Sequence, residues 1–135
     1  MFYPKIDNEH VLRKLSEHNL LLLFNDYSIA GTKIYDYLAV KRRILLCYTN
    51  DNDALELKEK HHPMQTKNRF SDDLQEEIID YTKAGYAVKN AKELSELLIE
   101  LNQELRENGH LACHSVNVKD FSRKKQVERL ANILL

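Results

Sequence analysis

The sequence predicts an α/β fold with a small parallel sheet of about three strands flanked by helices. Three observations carry this. Leu20–Phe24 and Ile44–Tyr48 are unbroken apolar runs of strand length, and such runs without alternation are typical of strands buried on both faces of a parallel sheet. Tyr86-Ala87-Val88 is a third, shorter run. The segments between these runs carry apolar residues at helical spacing, and alternation of strand and helix is the pattern of a parallel sheet.

Each element has a local reason. Val11, Leu12 and Leu15 mark one side of a first helix, with Asp7 or Asn8 as its cap, since both side chains accept hydrogen bonds from free N–H groups. The chain turns at Glu17-His18-Asn19 and enters the first strand. Asn25–Ser28 is a polar loop, and a helix is expected from near Gly31, with Ile34, Tyr37 and Leu38 packing on the sheet. Lys41-Arg42-Arg43 would close it, cations suiting the negative end of a helix dipole. A short helix over Ala54–Lys60 is broken by His61-His62-Pro63. Ser71 reads as the cap of a helix carrying Leu74, Ile78 and Ile79, which ends before Gly85. Ala91–Asn108 is the clearest helix, with Leu94, Leu97, Leu98, Leu101 and Leu105 on one face and Gly109 as its stop. A last helix is expected over Val118–Leu135, with Val127, Leu130, Ala131 and Leu134 on its apolar side.

Composition narrows the function classes. The 135 residues are expected to form one domain, and 43% hydrophobic content can support a core. Twenty basic residues against 21 acidic ones give a net charge of -1, which offers no electrostatic case for a nucleic-acid partner. No apolar run approaches the roughly 20 residues of a membrane span. The opening Met1-Phe2-Tyr3-Pro4-Lys5 lacks a signal-peptide pattern. Two cysteines, Cys47 and Cys113, do not make a disulfide framework, so a cytoplasmic protein is expected.

The stretch with chemical content runs from Ser28 to Ala39, after a buried strand and into a helix. Ligands of open parallel sheets bind beyond the carboxyl ends of the strands. Free N–H groups around Gly31 and Thr32 would form an anion site with the helix dipole. Lys33 would add a point charge for a diphosphate, and Asp36, one turn on, could accept from two ribose hydroxyls. Taken alone, the same residues also describe a helix with a packing glycine and a solvated lysine.

The order of these residues resembles the donor-site motif in the C-terminal domain of GT-B glycosyltransferases of the family 4-like group, in which two acidic residues bracket a glycine ahead of a helix, a basic turn and an apolar strand. Thr32–Ala39 is similar to the helix, and Lys41–Leu46 to the turn and strand. Ala84–Val88, Glu93–Leu98 and Phe121–Gln126 follow in the family's order as short strand, helix and start of the closing helix. The resemblance implies a partial Rossmann-like fold corresponding to the later half of a donor domain. It implies a UDP- or GDP-sugar as ligand, with Gly31 and Thr32 giving N–H groups to the diphosphate, Lys33 beside them and Asp36 holding the ribose. Ser28 stands where the first acid contacts the sugar, and Asp36 is one methylene shorter than the usual Glu. No catalytic residue, metal or cofactor is assigned. The expected function is a nucleotide-sugar-binding fragment of a transferase acting on polysaccharide or lipid-linked glycan, inactive without a separate acceptor domain, cytoplasmic or peripheral at the inner face of the membrane.

Other readings compete. A metal site would draw on His61-His62 or on His110, Cys113 and His114, but zinc-site spacings are not met. Cys113 beside His114 is a neighbour pair, whereas catalytic pairs meet from distant positions. A response-regulator-like module would need five strands. A non-catalytic interaction or small-ligand-binding module is the alternative. Standing alone, the apolar strand Leu20–Phe24 would be an open edge, so a homo-oligomer that covers it is expected.

Overall fold

A computed structural model describes residues 7–24, 32–47 and 74–134, with Glu56 and Lys60 as isolated positions. Among these residues the architecture is α/β: three parallel strands in the order β1-β2-β3, flanked by helices. Helix α1 spans Asn8–Ser16 and is capped by Asp7, whose carboxylate accepts from the His10 N–H at 2.8 Å. Strand β1 is Leu20–Phe24, helix α2 Lys33–Val40 and strand β2 Arg43–Cys47. Helix α3 is Leu74–Thr82, strand β3 Gly85–Val88 and helix α4 Ala91–Asn108. The region of the expected short helix over 54–60 and the cap at Ser71 lie outside the described residues.

The central strand is buried throughout its middle: Ile44, Leu45 and Leu46 are all in the core. Alternation along β2 sends Ile44 and Leu46 to one face, where they meet Leu23 of β1, Ile34 and Leu38 of α2, and Ile78 and Ile79 of α3. Helix α1 packs beside α2. The opposite face carries Arg43, Leu45 and Cys47, and Arg43 is held there by Glu104 of α4. Gly85, the register partner of Ile44, is a required glycine. A Cβ at that position would collide with the Ile44 backbone oxygen, and backbone cannot move aside as a side chain can. Gly109 ends α4 in the left-handed conformation at φ 74°, and its N–H closes on the Leu105 carbonyl at 2.9 Å.

Three expectations are corrected. Strand β1 is not buried on both faces: Leu21 and Leu23 are buried, while Leu22 and Phe24 are exposed. It is an edge strand of the described sheet, and α4 follows β3 and packs on it, at the other edge. Arg43 does not close a helix; it begins β2. The last helix is interrupted. A 3-10 turn over Val118–Phe121 ends at Ser122, which is extended, and helix α5 then runs Arg123–Leu134. The Ser122 hydroxyl accepts from the Lys125 N–H at 3.2 Å, so it caps the new helix.

Candidate functional site

The candidate site lies at the carboxyl edge of the sheet, where α2 begins. Strand β1 ends at Phe24, and α2 must run back to the opposite edge before β2 can start parallel to β1 at Arg43. Two buried residues, Ile34 and Leu38, bind α2 to the core. Its flanks are braced as well. Tyr37 donates its hydroxyl to the Leu22 carbonyl at 3.3 Å, and the Tyr35 ring lies 6.0 Å from that of Phe121. The helix start is therefore held against the sheet by its own apolar side.

Thr32 precedes the helix with helical dihedrals, and its hydroxyl makes no capping bond. Its carbonyl accepts the Tyr35 N–H at 3.1 Å. Lys33 and Asp36 are both exposed, and their i, i+3 spacing puts them on adjoining parts of one surface. Among the described residues, no hydrogen bond or ion pair involves the side chains of Thr32, Lys33 or Asp36. The structure thus brings these three predicted residues together at one helix start. Ser28 and Gly31, the other two, lie outside the described residues.

Neighbouring groups at the same edge add detail. Helix α3 ends just before β3 begins, so its first turn, with Gln75, is at the carboxyl edge too. Gln75 is buried, and its Oε1 has no hydrogen-bond partner among the described residues. Lys89, directly after β3, pairs with Glu76 of α3 at 3.3 Å. Cys47 ends β2 half-buried, and desolvation pushes its thiol pKa up, which keeps it a thiol and a poor nucleophile.

The competing chemistries find no geometry among the described residues. No group of three or more His, Cys, Asp or Glu side chains is placed to hold a metal ion. His110 contacts the Asn108 carbonyl at 3.0 Å instead. His61-His62 lie outside the described residues. No described helix is long and apolar enough to cross a membrane.

The tightest polar cluster was not visible in the sequence. The Arg43 guanidinium donates to both carboxylate oxygens of Glu104 at 2.7 Å, to the Tyr86 hydroxyl at 2.7 Å and to the Ala112 carbonyl at 2.6 Å. It sits at the amino edge of the sheet, opposite the start of α2, and reads as a staple joining β2, β3, α4 and the segment after α4. Its partners lie 43, 61 and 69 residues away, so no local pattern could announce it.

Comparison with family models, with curated proteins and with solved structures found no match to this chain.

Proposed function

We propose that the carboxyl edge of this sheet binds the nucleoside diphosphate part of a UDP- or GDP-sugar. In this reading the chain is a donor-binding segment of a glycosyltransferase that transfers a hexose to a polysaccharide or lipid-linked glycan. A separate domain would bring the acceptor. The observation that carries the reading is the start of α2, where Thr32 makes no side-chain capping bond and Lys33 and Asp36 are exposed with no polar partner on either among the described residues. N–H groups at a helix start attract phosphate, and the ammonium of Lys33 adds to that field. The Asp36 carboxylate is an acceptor only, suited to a ribose diol. Ser28 and Gly31 complete the proposed site by the family resemblance. No residue is assigned to catalysis, and the transfer would depend on the acceptor side.

Calorimetric titration with UDP, GDP and their sugar conjugates tests this. Binding in the micromolar to millimolar range is expected, weakened by Lys33→Ala and by Asp36→Asn. No heat at millimolar ligand would overturn it. The reading carries a cytoplasmic location, at the inner face of the membrane when the acceptor is lipid-linked, which cell fractionation checks.

One observation favours a second reading. Leu22 and Phe24 on β1, and Val127, Leu130, Ile133 and Leu134 on α5, are exposed apolar side chains. They suit a non-catalytic interaction module. A protein that assembles but ignores every nucleotide would be of that kind.

A further inference from the structure

One face of the sheet is only partly covered. On the first face lie α2 and α3, with α1 beside α2. On the second face lies α4, which packs on β3 and reaches β2 through Glu104. Beyond it, among the described residues, the carboxyl half of β1 is uncovered on this face, with Leu22 at 47% and Phe24 at 71% exposure, while the amino end of β1 meets the segment after α4 through the Leu111 N–H, which donates to Asn19 Oδ1. We propose that helix α5 of a second copy of this chain lies on that open face of β1, alongside α4.

Shape and charge both point to α5. Apolar side chains of α5 form one arc, made by Val127, Leu130, Ala131, Ile133 and Leu134. None of its residues is buried, and Ile133 is 80% exposed. A twelve-residue helix without packing is marginal in water, so this arc needs a surface. The helix is about 18 Å long at 1.5 Å per residue. The exposed part of β1, Leu22–Phe24, offers about 10 Å at about 3.3 Å per residue, room for about two turns of α5.

Helix α5 carries four basic residues against the single acid Glu128. At 3.6 residues per turn, Lys124 and Arg129 fall at the two borders of the apolar arc. Helix α4 carries the complementary row: Glu93, Glu96, Glu100, Glu104 and Glu107 recur at three- and four-residue steps along one side. Glu104 meets Arg43 of β2, so this side is the one turned toward β2. Arg43 is level with Leu20 in the sheet register. Helix α4 runs from the carboxyl edge back to Glu104. Glu100 and Glu96 lie one and two helical turns nearer the carboxyl edge than Glu104, the direction in which β1 runs from Leu20 to Phe24. The open face thus has an apolar floor and an acidic wall, the inverse of α5.

The tie of α5 to its own preceding turn points to another copy as the donor. Within one chain, Val118 and Phe121 pack on the core of the first face. Helix α5 is tied to that turn by Gln126 Nε2 donating to the Asp120 carbonyl at 2.7 Å and by Arg129 lying 3.7 Å from the Asp120 carboxylate. Pairing of two β1 edges would have to share or displace the Tyr37 hydroxyl at the Leu22 carbonyl. Exchange of α5 between two copies forms two equal contacts and closes the assembly.

Two surface variants test this by sedimentation equilibrium and light scattering. Phe24→Asp spoils the open face, and Leu130→Asp spoils the helix; circular dichroism verifies that each stays folded. The wild type is expected to assemble, and each variant to associate at least about tenfold more weakly. Mixing the two variants should recover assembly, because the Phe24→Asp chain still has an intact α5 and the Leu130→Asp chain an intact face. A monomeric wild type would overturn the proposal. So would wild-type association by either variant, which would mean helix-to-helix or edge-to-edge pairing. Failure of the mixture to assemble better than its parts would count the same way. Sedimentation of a monomeric wild type with phosphatidylglycerol vesicles would also overturn it, assigning α5 to a lipid surface instead.

Discussion

Arg43 and Glu104 form a two-pronged ion pair, both contacts at 2.7 Å, that ties the first residue of the central strand to the longest helix. The guanidinium has 14% of its side-chain surface exposed and the carboxylate 30%. Removing one partner leaves a charge that is neither well hydrated nor paired. Glu104→Ala is expected to cost about 2–3 kcal/mol, toward the lower side of a buried pair because Glu104 is partly wet. Urea denaturation measures it. A loss within error of zero would reduce the pair to decoration.

Gly85 faces the Ile44 backbone closely enough that any Cβ collides with it. Gly85→Ala should therefore separate β2 from β3 or distort both, at a cost of at least about 2 kcal/mol. Thermal unfolding of the variant would show a lower midpoint; an unchanged midpoint contradicts the close approach.

Lys41 caps α2 at φ 53°, a left-handed conformation that costs a side chain with a Cβ. Its N–H closes on the Leu38 carbonyl at 3.2 Å, a bond that glycine keeps. Lys41→Gly should stabilise the protein by about 0.5–1 kcal/mol, because relief of the strain exceeds the extra entropy lost on folding. Destabilisation would argue that the lysine side chain has a role of its own.

Tyr81 donates its hydroxyl to the Asp120 carboxylate at 2.6 Å. That hydrogen bond first, then desolvation and the carboxylate's charge, hold the phenol pKa above its ordinary value. Any stability it contributes is present below the ordinary phenol range and is lost as pH rises through the raised value. Asp120→Asn should bring Tyr81 down toward an ordinary phenol in an ultraviolet pH titration. A titration curve identical to the wild type would remove the contact from the account.

At the proposed nucleotide site, Lys33 and Asp36 should fail differently. Lys33→Ala is expected to weaken diphosphate binding and reduce its salt dependence, since a point charge is lost. Asp36→Asn is expected to narrow the preference for ribose over deoxyribose ligands, because the acceptor pair for the diol is lost. Equal effects of both variants on all ligands would mean that neither group has the assigned role.

Much of the architecture was legible locally. The bounds of α4 follow from a leucine period that stops at Gly109, which the structure uses as the C-cap, while the Asn90 cap at its start shows only in the structure. The two apolar runs became strands, and the period of Ile34, Tyr37 and Leu38 correctly marked the packed side of α2. The grouping of Thr32, Lys33 and Asp36 was legible too, because it needs only one helical turn.

What stayed hidden depends on partners far along the chain. Nothing in Leu20-Leu21-Leu22-Leu23-Phe24 says that alternate residues will be bare, because that follows from α4 packing on β3, at the other edge of the described sheet. The apolar arc of α5 reads in sequence like any core-facing helix, yet the break at Ser122 leaves it unburied. Arg43 looked like a helix-ending cation until Glu104, Tyr86 and Ala112 closed around it. Propensity and period act over a few residues, so the sequence alone determined the elements and their order. Coverage of a face and pairing of a charge are set by which elements meet, and only the tertiary structure decided those.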